Sequence, residues 1–404
     1  MKQIVLLLLV AVSLNAVGQT KVEIPTNNIL TFNKTLGDGG VFLVYSRGSN
    51  GWCGNKDDWT FVRFDKSHKQ LWKVNAHIDD PRADVLGIAY RYEVVSSPDG
   101  KHIYLCMLGE KDQSVFYFNE KGVMKQFMPL DNIKIKTNDL SISKIHCTNT
   151  HLMISAHKEF KFDEHQLISM PHNSTKCTLK SLPLEKSFKK NSVALANPLS
   201  DKMHFINTSS SKTEFKIRTA SFDIAGKSRD VMINIPKMGV ARAEYHVTSK
   251  GYLIVQFNEN EIQFLLKDFK GKTIFDLKSS SKEIVNVVPS KAYRLSDFIE
   301  MGSEKIAFVV SYGGKAYCYI LDMAAGKILK EGRSAYPVCS PPPNVHDGEL
   351  WNATVALLLF QNKSAHLDKV KTNKARVYCH NYLTHKNLVL WYPGTNRIEL
   401  YQEE

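Results

Sequence analysis

The sequence predicts an all-β fold, a seven-bladed β-propeller of four-stranded antiparallel blades. Three observations predict it: a strand–turn–strand unit that recurs, its near-constant spacing, and alternation of apolar and polar residues along most of the chain. The unit is an alternating strand, an Asp or Asn, two or three turn residues, Gly or a stand-in, then a second strand. Copies are FVRFDKSHKQLWKV at Asp65, VFYFNEKGVMKQFM at Asn119, ISMPHNSTKCTLKSL at Asn173, TASFDIAGKSRDVMI at Asp223, FLLKDFKGKTIFDL at Asp268 and YCYILDMAAGKILK at Asp322. The intervals between these positions are 54, 54, 50, 45 and 54 residues. An all-strand repeat of that size is the period of a propeller blade.

Period-two alternation then places the strands. The second blade reads Arg91–Ser97, His102–Met107, Val115–Asn119 and Val123–Leu130. The fifth reads Ala243–Thr248, Tyr252–Asn258, Ile262–Asp268 and Thr273–Lys278. The sixth reads Tyr293–Met301, Lys305–Tyr312, Ala316–Asp322 and Lys327–Glu331. Blades one, three and four start at Asn28, Ser141 and Ser192. A last blade is assembled from Trp351–Phe360, Ala375–Asn381, Asn387–Tyr392 and Arg397–Gln402, its final hairpin turning at Pro393-Gly394-Thr395-Asn396. Lys21–Pro25 is left over, placed to add an outer strand to that blade and latch the ring.

One turn is more specific. Val95-Ser96-Ser97-Pro98-Asp99-Gly100-Lys101-His102-Ile103-Tyr104 resembles the S-P-D-G-K-x-I-Y signature of TolB-type, WD-repeat-like propeller repeats, which peptidase-associated propellers share. The resemblance implies a propeller and no activity. Peptidases with such propellers add an α/β-hydrolase domain with G-x-S-x-G, a motif this chain lacks.

The first residues are Lys2, an apolar run from Ile4 to Leu14, then Ala16-Val17-Gly18, the pattern of a secretory signal peptide over residues 1–18. A membrane span needs about 20 apolar residues, so this run is too short for one. No cysteine follows it for lipid attachment. The expectation is a secreted or periplasmic, monomeric protein with one propeller domain over residues 19–404. No Pro/Gly/Ser linker divides it.

The net charge of +13 is spread over every repeat, whereas nucleic-acid binders gather Lys and Arg on one face. Nucleic acid is therefore not an expected partner; a protein or an anionic or polysaccharide ligand fits better. No zinc cysteine pair, H-E-x-x-H or calcium loop occurs, and neither cofactor nor metal is expected. Gly271-Lys272-Thr273 lacks the earlier glycine of a phosphate loop, since Leu266 stands there. Of seven cysteines, most lie in strand patterns as small hydrophobes. Cys53 and Cys339 sit in polar loops of blades that meet at ring closure, and are the candidate disulfide.

Strands alternate in direction, so turns after strands one and three emerge on one face and those after strands two and four on the other. The first set is short. The second reads as longer, with Arg47–Asp58, Asn75–Ala89, Asp131–Leu140, His157–His165, Ser279–Lys291 and Glu331–Leu350. Long loops on a rigid scaffold are where binding residues sit. Candidate ligand-binding residues there are Trp52, His77, Asp79, Asp80, His346, Asp347 and Trp351. Arg91, Glu93, Arg242, Glu244 and Arg294, near the starts of innermost strands, would ring the channel mouth. Arg with an acid two residues on can clamp a carboxylate or pair between blades. The expected function is binding of a partner or ligand through the long-loop face. The alternative is a hydrolase or lyase acting on polysaccharide, with carboxylates and His at the channel mouth. No residue is singled out as catalytic.

Overall fold

The computed structural model describes residues 19–24, 28–47, 57–78, 91–108, 113–127, 140–158, 161–174, 176–182, 193–197, 200–224, 228–238, 242–258, 261–280, 295–301, 304–312, 315–335, 376–382, 385–392 and 397–403. Every regular element among them is a strand.

β1 (Gln19–Glu23) precedes six blades built alike. Blade 1 is β2 (Asn28–Thr35), β3 (Val41–Arg47), β4 (Asp57–Phe64) and β5 (Gln70–Ile78). Blade 2 is β6 (Arg91–Ser96), β7 (Ile103–Leu108), β8 (Gln113–Phe118) and β9 (Met124–Phe127). Blade 3 is β10 (Leu140–Cys147), β11 (His151–Lys158), β12 (Lys161–Pro171) and β13 (Thr178–Ser181). Blade 4 is β14 (Val193–Ala196), β15 (Met203–Ser210), β16 (Glu214–Phe222) and β17 (Ser228–Pro236). Blade 5 is β18 (Arg242–Val247), β19 (Gly251–Phe257), β20 (Glu261–Asp268) and β21 (Thr273–Ser280). Blade 6 is β22 (Leu295–Met301), β23 (Lys305–Tyr312), β24 (Lys315–Asp322) and β25 (Lys327–Ala335).

The seventh sheet closes the ring. It runs β26 (Arg376–Tyr382), β27 (His385–Tyr392), β28 (Arg397–Glu403), then β1, which pairs antiparallel with β28 from Gln19↔Tyr401 to Glu23↔Arg397. The latch expected from Lys21–Pro25 is this outer strand. β26 lies against β22 and β2, the innermost strands of its neighbours. Arg376–Tyr382 therefore holds the innermost place that the sequence reading assigned to Trp351–Phe360, a segment outside the described residues. The chain is a seven-bladed propeller.

Alternation explains how the ring holds together. On β7, Ile103 and Leu105 join a cluster with Phe42 and Phe61 of blade 1. Tyr104 and Cys106, one residue out of phase, join Ile154 and Ile168 of blade 3. Successive side chains on a strand point to opposite faces, and here both faces are buried against a neighbour. The same straddling recurs between blades 3 and 4, 4 and 5, 5 and 6, and 7 and 1. The free thiols of Cys106, Cys147 and Cys318 lie in this core, the role expected for strand cysteines.

The recurring turn has a local cause. Asp65 Oδ1 accepts the backbone N–H of Ser67 and Lys69, each at 2.9 Å, and Asp268 Oδ1 those of Lys270 and Lys272, each at 2.8 Å. Asn119 Oδ1 does the same for Lys121 and Val123. A carboxylate or amide after the third strand thus replaces the acceptor the strand has lost. His68, at φ 61°, is the stand-in for glycine in the first copy. Blade 3 departs from the pattern. There Asn173 is exposed and Ser174 Oγ receives the N–H of Lys176, while His172 turns inward.

Gly122 answers two demands at once. Its φ is 76°, and a Cβ would stand 2.8 Å from the Trp72 ring of blade 1. Gly122→Ala is expected to cost about 2–3 kcal/mol, from the left-handed backbone and the displaced indole. Urea unfolding of this variant beside Lys121→Ala, expected within about 0.5 kcal/mol of the parent, checks it. Equal midpoints for both would show that Trp72 does not press on this turn.

The length contrast between the two ends has a topological origin. Strands two and three are joined by two residues in blades 3 and 6, by three in blades 4 and 5, by four in blades 2 and 7, and by nine in blade 1. His157–His165, read as a long loop, is mostly paired strand, with His157 opposite His165. Apart from residues 48–56 within blade 1, the long segments are the connections between blades. Each must cross from an outermost to the next innermost strand, three strand spacings or about 14 Å.

Candidate functional site

The short-turn end carries a continuous set of contacts between blades. In blade 1, Asp38 accepts Gly40 N–H at 2.9 Å and pairs with buried Arg63 at 2.6 Å. Its carboxylate lies where a Cβ on Gly100 of blade 2 would fall. The Ser97–His102 turn is tied by Ser97 Oγ donating to Asp99 Oδ1 at 2.6 Å and accepting His102 N–H at 3.0 Å. Asp99 N–H then donates to Asn149 Oδ1 of blade 3 at 3.0 Å. His146 Nε2 of blade 3 donates to the Ser200 carbonyl of blade 4.

Blades 4, 5 and 6 meet at one carboxylate. Glu300, buried at the end of β22, accepts Asn197 Nδ2 at 3.1 Å and Ser249 N–H at 3.0 Å, and also the Ser249 hydroxyl. Asn197 Nδ2 also donates to the Val247 carbonyl at 3.2 Å. Burial raises the Glu300 pKa above the usual carboxylate value, and the bonds from Ser249 and Asn197 work against that rise. The carboxylate is a tie between blades.

Above this layer lies a depression of about 480 Å³. Blade 2 contributes Pro98, and blade 3 the Thr148–Thr150 turn. Blade 4 contributes Asn197, Ser200 and Asp201, and blade 5 Thr248, Ser249 and Phe269. Asn149, Thr150 and Asp201 are exposed, whereas Thr148, Asn197 and Thr248 are buried and held by the turns. Phe269 stacks on His204 at 5.2 Å between ring centroids and meets Tyr252 edge-on at 5.3 Å, which fixes its ring. The lining is hydroxyl, amide, one carboxylate and one aromatic ring.

A histidine–tyrosine layer supports these turns. His172 Nε2 donates to the Thr148 carbonyl at 2.9 Å, so the neutral ring accepts the Tyr104 hydroxyl at Nδ1, 2.7 Å away. The His102 ring stacks on His172 at 3.9 Å and bonds the Tyr117 hydroxyl. Burial, with the neighbouring His102, pushes His172 down to about 4. Burial takes His146 and His204 to about 4 as well and lowers His102. All four are neutral at pH 7.

None of the residues anticipated from the sequence is among those lining the depression. His77 is exposed at the far end of β5, where its Nδ1 meets Asp58 Oδ1 at 3.1 Å as a cross-strand pair. Glu93 of β6 pairs with Lys144 of β10 at 3.4 Å, a link between blades 2 and 3. Glu244 is half-buried on β18. Arg91 and Arg242 lie in β6 and β18, and their side chains are not described. Trp52, Asp79, Asp80, Arg294, His346, Asp347, Trp351, Cys53 and Cys339 fall outside the described residues. The depression was missed because a short turn looks purely architectural. Its signal was the run Asn197-Pro198-Leu199-Ser200-Asp201, which with the Ser97–His102 turn of blade 2 forms the two longest first-to-second-strand connections.

No family model matches the chain, and no curated protein matches it. Several solved structures are similar to it. The β-propeller domain of the Trilobed protease from Pyrococcus furiosus is 12% identical, with 94% of this chain and 97% of that one covered and a TM-score of 0.47. The acylaminoacyl peptidase of Pyrococcus horikoshii is 11% identical over 90% of this chain and 51% of its own, with a TM-score of 0.43. This chain thus spans about half the length of that peptidase. TolB from Acinetobacter baumannii is 12% identical, with 90% and 80% covered and a TM-score of 0.31. The propeller assignment rests on the seven sheets and their closed ring.

Proposed function

We propose that the chain is an exported propeller of one domain that binds a ligand at one end of its ring. The observation that carries this reading is the convergence of side chains from four consecutive blades on the depression of about 480 Å³. That volume lies within the roughly 300–1,000 Å³ range of small-ligand sites. Its polar groups are pre-positioned by turn and inter-blade hydrogen bonds, which lowers the ordering cost of binding. Export is supported by the leader-like residues 1–18. Cleavage after Gly18 leaves β1, which starts at Gln19, whole.

The long-loop end is the second candidate surface, on the strength of the exposed His77–Asp58 pair there. Variants at each end separate the two. The mature chain is screened by thermal shift against sugars, sugar acids, amino acids and dipeptides. A stabilising compound that loses its effect in Asp201→Ala but keeps it in Trp52→Ala and Asp347→Ala supports the short-turn site. The opposite pattern moves the site to the long loops. A screen with no hit at millimolar ligand removes the small-ligand reading.

A further inference from the structure

The lining points to a chemical class, and the inference rests on the binding reading above. We infer that the depression takes a neutral, hydroxyl-rich ligand, a sugar of one or two rings. Three features select it. First, Asn149 has its amide orientation set, because Oδ1 already accepts the Asp99 N–H at 3.0 Å. Its Nδ2 is therefore presented as a donor. Second, the exposed carboxylate of Asp201 can accept two neighbouring hydroxyls, and Thr150 and Ser200 offer groups that both donate and accept. Third, Phe269, partly exposed and locked against His204, supplies an apolar surface for the C–H face of a sugar ring.

Charge argues against an anionic ligand. Asp201 is the one charged side chain among the described lining residues, and none of them is Lys or Arg. A phosphate or carboxylate would meet a carboxylate with no guanidinium or ammonium among those residues to oppose it. A cationic ligand would use Asp201 and leave most of the hydroxyl and amide groups without partners.

The test is a glycan array carrying neutral, acidic and amino sugars, followed by calorimetric titration of the captured glycans on the mature chain. A neutral glycan that binds, and whose affinity falls at least tenfold in both Asn149→Ala and Asp201→Ala, is the expected result. Melting temperatures of the two variants are expected to stay within about 2 °C of the parent, since surface substitutions of this kind cost little. Capture only of acidic or amino sugars, lost in the same variants, overturns the neutral-sugar assignment and leaves the binding site standing. An array without capture, beside a hit in the thermal-shift screen that depends on Asp201, overturns it in the same way. Neutral-glycan binding indifferent to both substitutions overturns the placement of the sugar in the depression. Silence in both array and screen overturns this inference together with the small-ligand reading.

Discussion

A chain lacking residues 19–24 is expected to lose about 5 kcal/mol of stability, with Tm falling by about 5–10 °C. The deletion removes β1, the outer strand of the seventh blade, and with it five register pairs to β28. Ile24, 5% exposed, and the partly buried Val22 pack in a cluster with Leu30, Leu43 and Phe64 of blade 1 and Val389, Ile398 and Leu400 of blade 7. Burying two such side chains is worth about 3–5 kcal/mol, and the lost strand bonds add to it. The deletion also leaves β28 as an unpaired edge, open to pairing with another chain. Hydrogen exchange is expected to speed up in Arg397–Glu403 while β20 stays protected, since blade 5 is far round the ring. A Tm within about 2 °C of the parent would show that the ring does not depend on β1 for closure. Val22→Asp, which keeps the chain length, is expected to show a smaller loss in the same direction.

Acid is expected to act on the opposite side of the ring. His146, His172 and His204, each at most 5% exposed, are held at about 4 by burial, against 6.5 in an unfolded chain. Their folded pKa values are depressed. The unfolded state therefore takes up protons first as pH falls below 6.5, and the stability present above 6.5 drains away down to about 4. Between pH 7 and pH 5 this amounts to about 2 kcal/mol for each ring. His246, also held at about 4 by burial, adds in the same sense. Glu300 opposes them, because its raised carboxyl pKa makes the folded state bind a proton more readily as pH falls. It is one group against four. Asp322, lowered by the Ala325 N–H bond, titrates below 3.8 and lies outside this window. Unfolding by urea at pH 7, 6 and 5 checks the prediction, and a flat profile would contradict the buried, neutral assignment. His204→Asn should flatten the slope by about a third of the three-histidine effect if the fold survives.

Much of this architecture is determined within short stretches of chain. Alternation assigns Ile103 and Leu105 to one face and Tyr104 and Cys106 to the other without knowledge of what covers them. An Asp or Asn after the third strand carries its own reason for turning, as Asp65 and Asp268 show through bonds to residues two and four positions on. The strands of blades 2, 5 and 6 therefore end within a few residues of their predicted limits. Blade 3 was misaligned at Asn173 because the identity of a turn residue does not reveal which side chain accepts the bond.

Tertiary structure decided what depends on distant partners. β1 and β28 pair across almost the whole chain, so the innermost strand of the last blade passed to Arg376–Tyr382. Asn197 and Glu300 are 103 residues apart and meet because blades 4 and 6 both reach the centre of the ring. The depression likewise exists through the placing of four turns side by side, each unremarkable alone. Loop length pointed to the other end, where most of the anticipated residues fall outside the described ones. By itself the sequence determined the strands, their turns and the number of blades, which are local and periodic. Only the folded ring decided that turns from four blades line one depression, because that depends on how separate blades are set about a common axis.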